Sequence, residues 1–172
     1  MVRTRSAILP DVEHIHSIME PFYPDGTLLP RQIPELSENI RDFVVAEHEG
    51  KVIGCGALHL YGMHLAEIRS IAVRSSAQKL GAGKLLVQAL LEEAQRQNVT
   101  CVCLFTRIPD FFARNGFRVA LREELPDKIY KDCIHCPRFY ACDEIAMVHG
   151  EIPRNVEKRD LQYARPLVRL GA

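Results

Sequence analysis

From Ala66 to Asn98 the chain runs as an apolar strand that empties through a glycine-bearing turn into an amphipathic helix. Within the turn, Gln78-x-x-Gly81-x-Gly83 clears side chains from the helix entrance. Unpaired backbone N–H groups and the positive end of the helix dipole favour an anion there, and a pyrophosphate fits. Two nucleotide motifs are excluded by spacing. A P-loop needs glycine where Gln78 stands and Ser or Thr where Leu85 stands, and the dinucleotide fingerprint needs a third glycine where Leu86 stands. Lys84 opposes the dipole unless an anion sits nearby, although a solvated lysine accounts for it equally well. A second pattern is Cys133-x-x-Cys136-x5-Cys142. Three thiolates are one ligand short of a tetrahedral zinc site, which His135, His149 or Asp143 could complete. A loop of reduced thiols and a reversible Cys133–Cys136 disulfide are the alternatives. The reduced loop is preferred, because a second Cys-x-x-Cys is absent.

These residues need elements to position them, and the apolar periodicity supplies them. Strands are expected at 2–8, 43–48, 52–60, 67–73, 100–106, 117–121 and 144–148. The second and third are joined by the turn Glu49-Gly50-Lys51. Helices are expected after Pro10-Asp11, over 34–41, from Ala82 and over 109–114; the proline-rich stretch 21–34 reads as loop. Leu85, Leu86, Ala89, Leu90 and Ala94 recur at helical spacing, with Gln88, Glu92 and Arg96 on the wet face. The order predicts one mixed α/β domain over 1–150, followed by a polar tail at 151–172. Cys101 and Cys103 share a strand face and read as small core residues.

The 172 residues, 47% hydrophobic, suit one core of this size. Twenty-two basic residues balance 22 acidic ones, so no broad nucleic-acid or membrane surface is expected. With no long apolar run and no cleavable signal pattern, the expected compartment is the cytoplasm.

The strand, the Gln-x-x-Gly-x-Gly turn and the helix together resemble the coenzyme A motif of the GNAT acyltransferases. The stretch from Asp110 to Phe117 resembles that superfamily's Phe-Tyr-x-x-x-Gly-Phe segment, with Phe112 in place of the tyrosine. A longer ordered series is similar to the acetyltransferase domain of bacterial N-acetylglutamate synthase. It comprises Gly26-Thr27-Leu28-Leu29-Pro30-Arg31, Val45 to Gly50, Gly54-Cys55-Gly56-Ala57-Leu58, Glu67 to Val73, Phe111 to Phe117 and Glu124-Leu125-Pro126. The similarity spans residues 2–148 and favours the short, single-domain synthases, for which regulation by arginine through a kinase-like domain is not expected.

The resemblance implies a mixed, mostly antiparallel sheet flanked by helices, with acetyl-CoA as co-substrate. Ile71, Ala72 and Val73 would hold the pantetheine arm. Gln78, Gly81, Ala82, Gly83 and Lys84 would surround the pyrophosphate, with Phe112 packing beside the coenzyme. Glu67 matches the family's base, taking a proton from the acceptor's ammonium directly or through water. Arg31 and Arg138 match arginines that grip the two carboxylates of L-glutamate, while Leu29 and Ser70 offer main-chain contacts and Tyr140 a hydroxyl. Phe112 cannot act as the acid, and Phe105 stands where some synthases place an acidic serine. The thiolate then leaves unassisted, or Thr106 assists it. Family resemblance favours a homodimer. The rival readings are a different acceptor (another amino acid, a polyamine or a protein N-terminus), a non-catalytic acyl-CoA sensor, and a metal-binding interaction protein.

Overall fold

The computed structural model describes residues 1–152, so the tail expected at 151–172 lies, apart from its first two positions, outside the described residues. The strand expected at 2–8 forms as β1 (Val2–Ser6), antiparallel to β2 (Phe43–His48). Glu49 and Gly50, at φ +51° and +74°, turn β2 into β3 (Lys51–Gly62). Paired positive φ values match the twist of a tight hairpin, which is why a glycine sits there. Two helices precede the hairpin, α1 (Val12–Met19) and α2 (Ile33–Glu38). The second stops short of the expected 34–41, because Asn39 leaves helical geometry and a single 3-10 turn follows at Ile40–Asp42.

Strand β4 (Leu65–Val73) returns antiparallel to β3, and α3 (Ala82–Arg96) carries the chain to β5 (Cys101–Thr106). Short α4 (Pro109–Ala113) and two-residue β6 (Arg118–Val119) follow, then α5 (Pro126–Lys131) and β7 (Ile145–Gly150). Helix α5 is absent from the sequence reading, and β6 is shorter than the expected 117–121. The seven strands form one sheet in the order β1-β2-β3-β4-β5-β7-β6, mixed and mostly antiparallel as expected. Among the described residues, only β4 and β5 run parallel.

The alternation of strand residues explains the layers. Val44 and Ala46 face the cluster that holds Leu86, Val87 and Leu90 of α3, while Phe43 and Val45 face Ile15, Ile18 and Met19 of α1. Leu86 and Leu90 are completely buried, each contributing about 1.5–3 kcal/mol. A third cluster joins Cys101, Cys103, Ala146 and Val148 to Leu125, so the residue just before α5 fastens that helix to the β5–β7 half of the sheet. Among the described residues, no helix is long and apolar enough to cross a membrane.

Candidate active site

The cleft originates in the one parallel contact. β4 and β5 pair only at Ala66–Val102 and Glu67–Cys103. Beyond Glu67, the β3–β4 register gains a residue opposite Gly56, and Ser70 adopts φ +54°. Such a bulge bends a strand and frees backbone groups from the ladder. The strands therefore part toward their carboxyl ends, and a cavity of about 940 Å3 opens between them. Of the site residues expected from the sequence, Leu29, Arg31, Glu67, Ser70, Ile71 to Val73, Gln78, Gly81 to Lys84, Phe112 and Arg138 line it, together with Cys133, Cys136 and Cys142.

The coenzyme end is built from α3. Gly81 caps the helix at φ +81°, a left-handed conformation that glycine adopts without steric cost, and no side chain caps the first turn. Nothing lies within 4 Å of where its Cβ would be, leaving room for an anion before the unpaired N–H groups. Gly83 serves a different purpose: a Cβ there would stand 3.2 Å from Cζ of Phe111. Phe112 is buried, edge-on to both Phe111 and Phe117 at centroid distances of 5.0 and 5.8 Å, and forms part of the cavity wall. The residues present thus fit a pyrophosphate-bearing coenzyme.

At the opposite end a loop is pinned by arginines. Arg31 donates from Nε to Ser70 Oγ at 3.1 Å and from Nη1 to Glu35 Oε1 at 2.5 Å, which aims it at the β4 bulge. Arg138 donates to the carbonyls of Asp25 and Gly26 and pairs with Asp143. Gly26 adopts φ +69°, a conformation that favours glycine, and a Cβ there would push the Arg138 guanidinium aside. Arg107, which the sequence reading missed, donates to the Asp25 carbonyl at 3.0 Å and to Asp143 at 3.0 Å. The Arg107 hydrogen bond leads in holding the Asp143 carboxyl below its usual range.

Glu67 sits where the strands part, with its side chain only 4% exposed. Lys128 Nζ of α5 lies 2.8 Å from Oε1, and the Tyr61 hydroxyl donates to Oε2 at 2.9 Å. Asp132 joins the group through Lys128 at 3.3 Å and Arg69 at 3.7 Å. Burial disfavours the Lys128 ammonium, but Glu67 and Asp132 outweigh it, and its pKa stands above that of an ordinary lysine. Tyr61, Lys128 and Asp132 come from segments far apart in the chain and were not anticipated.

One expectation requires correction: Tyr140 is 99% exposed and contributes no hydroxyl to the cavity. The zinc alternative finds no support: among the described residues, no group of three or more His, Cys, Asp or Glu side chains could hold a metal ion. Cys142 instead lies 3.0 Å from the Arg122 guanidinium, a cation where the ligand set would need a metal, and Asp143 is occupied by Arg107. All six cysteines are free thiols. Thr106 lines the cavity and accepts from the Ile108 N–H at 3.0 Å.

Comparison with known proteins agrees with this geometry. Residues 10–118 match the model of the acetyltransferase (GNAT) family. An uncharacterized N-acetyltransferase of Chlorobaculum tepidum is 42% identical over 144 residues, covering 84% of this chain and 93% of that protein. An amino-acid acetyltransferase of Mycobacterium tuberculosis is 38% identical over 116 residues, 66% of either chain. Among solved structures, N-acetylglutamate synthase of Neisseria gonorrhoeae, complexed with coenzyme A and N-acetyl-glutamate, superimposes with a TM-score of 0.78 at 28% identity. That match covers 90% of this chain, which spans 36% of the larger one. Sheet, cleft and sequence match agree, and the chain belongs to the GNAT family of acetyltransferases, making it an acyltransferase enzyme.

Proposed function

We propose that the protein transfers the acetyl group of acetyl-CoA to the α-amino group of L-glutamate, the opening acetylation of arginine biosynthesis, in the cytoplasm. The observation that carries this reading is the position of Glu67. Its carboxylate lies at the parting of β4 and β5, in the cavity that the glycine-rich start of α3 and the Arg31–Ser70 pair also line. The solved relative with coenzyme A and N-acetyl-glutamate supports the same pairing of ligands.

Each residue then has a task. The first turn of α3 holds the pyrophosphate, and the β4 backbone beyond the bulge presents N–H groups to the pantetheine arm and to the carbonyl oxygen that gains charge during attack. Arg31 binds a substrate carboxylate, for which a guanidinium is the complementary fork, and Arg138 closes the 25–27 turn over it. Glu67 takes the ammonium proton, leaving the amine lone pair free to attack. Holding both reactants in one cleft removes much of the entropic barrier. Phe112 stands where the resemblance places a tyrosine and carries no hydroxyl, so the thiolate, with a parent pKa near ~8.5, departs without a phenolic acid from that position. Glu67→Gln tests the assignment. Coenzyme binding is expected to persist while turnover falls by about 100-fold or more; wild-type turnover at saturating substrates rejects Glu67 as the base.

A further inference from the structure

A base buried beside an ammonium must be reset after every turnover, and the structure holds a route for that proton. Tyr61, near the end of β3, stands between two carboxylates. Its hydroxyl is 2.9 Å from Glu67 Oε2 and 2.5 Å from Asp132 Oδ2. One phenolic proton serves two acceptors, so the arrangement has a vacancy for a second proton. The geometry points to Tyr61 and Asp132 as the outlet through which Glu67 discards the proton it takes from the acceptor's ammonium. The inference rests on the reading of Glu67 as base and adds the path beyond it.

The bookkeeping of bonds is simple. An N–H bond of the ammonium breaks, its electron pair stays on nitrogen, and an O–H bond forms on Glu67. That bond breaks as Tyr61 gains the proton on its oxygen, while the original Tyr61 proton moves to Asp132. Asp132 then releases it to water or to a dissolved base. No hydrogen bond is lost: once Glu67 holds the proton it donates to Tyr61 and Tyr61 donates to Asp132, and after the relay Asp132 donates to Tyr61 and Tyr61 to Glu67. Exposure gives the path its direction, because the Glu67 side chain is 4% exposed and the Asp132 side chain 33%.

The surrounding charges suit a relay. Lys128 and Arg69 each approach both carboxylates, so the four charges cancel. Burial raises the Tyr61 pKa, and Glu67 and Asp132 raise it further, so Tyr61 passes protons without becoming a phenolate. Burial works against the Asp132 carboxylate, yet Tyr61, Lys128 and Arg69 hold it below the usual range, ready to shed a proton to water. The His59 ring meets Tyr61 edge-on at 4.9 Å, and the Lys131 ammonium lies over its face at 5.3 Å. Burial pushes the thiols of Cys103 and Cys133 and the carboxyl of Glu144 upward.

The experiment uses Tyr61→Phe, which keeps the ring, and Asp132→Asn, which keeps a hydrogen-bond acceptor but not a proton acceptor. Turnover with acetyl-CoA and L-glutamate is followed by thiol release while imidazole buffer is raised at constant pH and ionic strength. Each variant should lose about tenfold or more in kcat with the acceptor KM within about threefold, and should recover kcat as buffer concentration rises. A merely structural pin would lower activity without any dependence on the buffer. Wild-type kcat, or a loss indifferent to buffer, in both variants overturns the relay. If Tyr61→Phe does not fold, Asp132→Asn alone decides. Glu67→Gln separates the levels: full activity there removes the base and the relay together. An inactive Glu67→Gln beside unaffected Tyr61→Phe and Asp132→Asn removes only the relay.

Discussion

Replacing Lys128 by methionine removes the nearest cation from Glu67 while preserving most of the side chain's volume. The Nζ–Oε1 separation is 2.8 Å, and the two side chains are 14% and 4% exposed. At an effective dielectric of about 20, that distance corresponds to an attraction of roughly 6 kcal/mol. Three effects reduce the loss. Arg69 remains 3.9 Å from the other oxygen, the Tyr61 hydroxyl still donates, and the variant no longer buries an ammonium. Breaking a buried pair by removing one partner costs about 3–5 kcal/mol, and the contacts that remain bring the expected loss to about 2–3 kcal/mol. For a chain of this length that is a fall in Tm of roughly 4–12 °C. Because its partners raise the Lys128 pKa, the stability it brings is complete below the unfolded value near ~10.4 and is lost as pH rises through the folded one. Urea unfolding at about pH 7.5 and about pH 9, both below that window, should therefore give the same gap, carried by the midpoint with an unchanged slope. A gap under about 0.5 kcal/mol would refute the claim that this ion pair holds α5 against the cleft.

Arg31→Ala should raise the L-glutamate KM by about 10- to 100-fold, the worth of a charge-assisted hydrogen bond, with a smaller change in kcat; steady-state kinetics showing the reverse split would reassign Arg31. Thiol labelling of the native protein should modify Cys136 and Cys142 first, then Cys133, whose thiol burial pushes up, and last Cys55, Cys101 and Cys103, which are buried, with Cys55 and Cys101 lifted to about 12 and about 11. Coenzyme A should slow labelling of the first three, since they line the cavity. Native labelling that reaches Cys55 or Cys103 before these three would contradict the packing described above.

Local patterns reported the scaffold well. The repeat of Leu86, Leu90 and Ala94 disclosed α3 because its buried stripe follows the helical period, and Cys101 and Cys103 disclosed a buried strand face. The coenzyme end was legible for the same reason, since Gln78 to Lys84 is one continuous turn whose chemistry depends on its own backbone. Helix α5 was not legible. It has six residues, none of them buried, and is held by Leu125 just outside its first turn, so no periodicity marks it. The partners of Glu67 were hidden with it, because Tyr61 and Asp132 meet across 71 positions and only the folded sheet brings them together. Arg138 was singled out as a substrate arginine, whereas its reach to the Asp25 and Gly26 carbonyls depends on a loop geometry that composition does not encode.

The most direct measurement is release of free coenzyme A from acetyl-CoA by the purified protein, with L-glutamate, L-aspartate, L-glutamine and L-ornithine compared at equal concentration. The account predicts release that depends on L-glutamate and exceeds each of the others by about tenfold or more in kcat/KM, because it assigns Arg31 to a substrate carboxylate. Equal release with all four, or faster release with L-glutamine or L-ornithine, would contradict it.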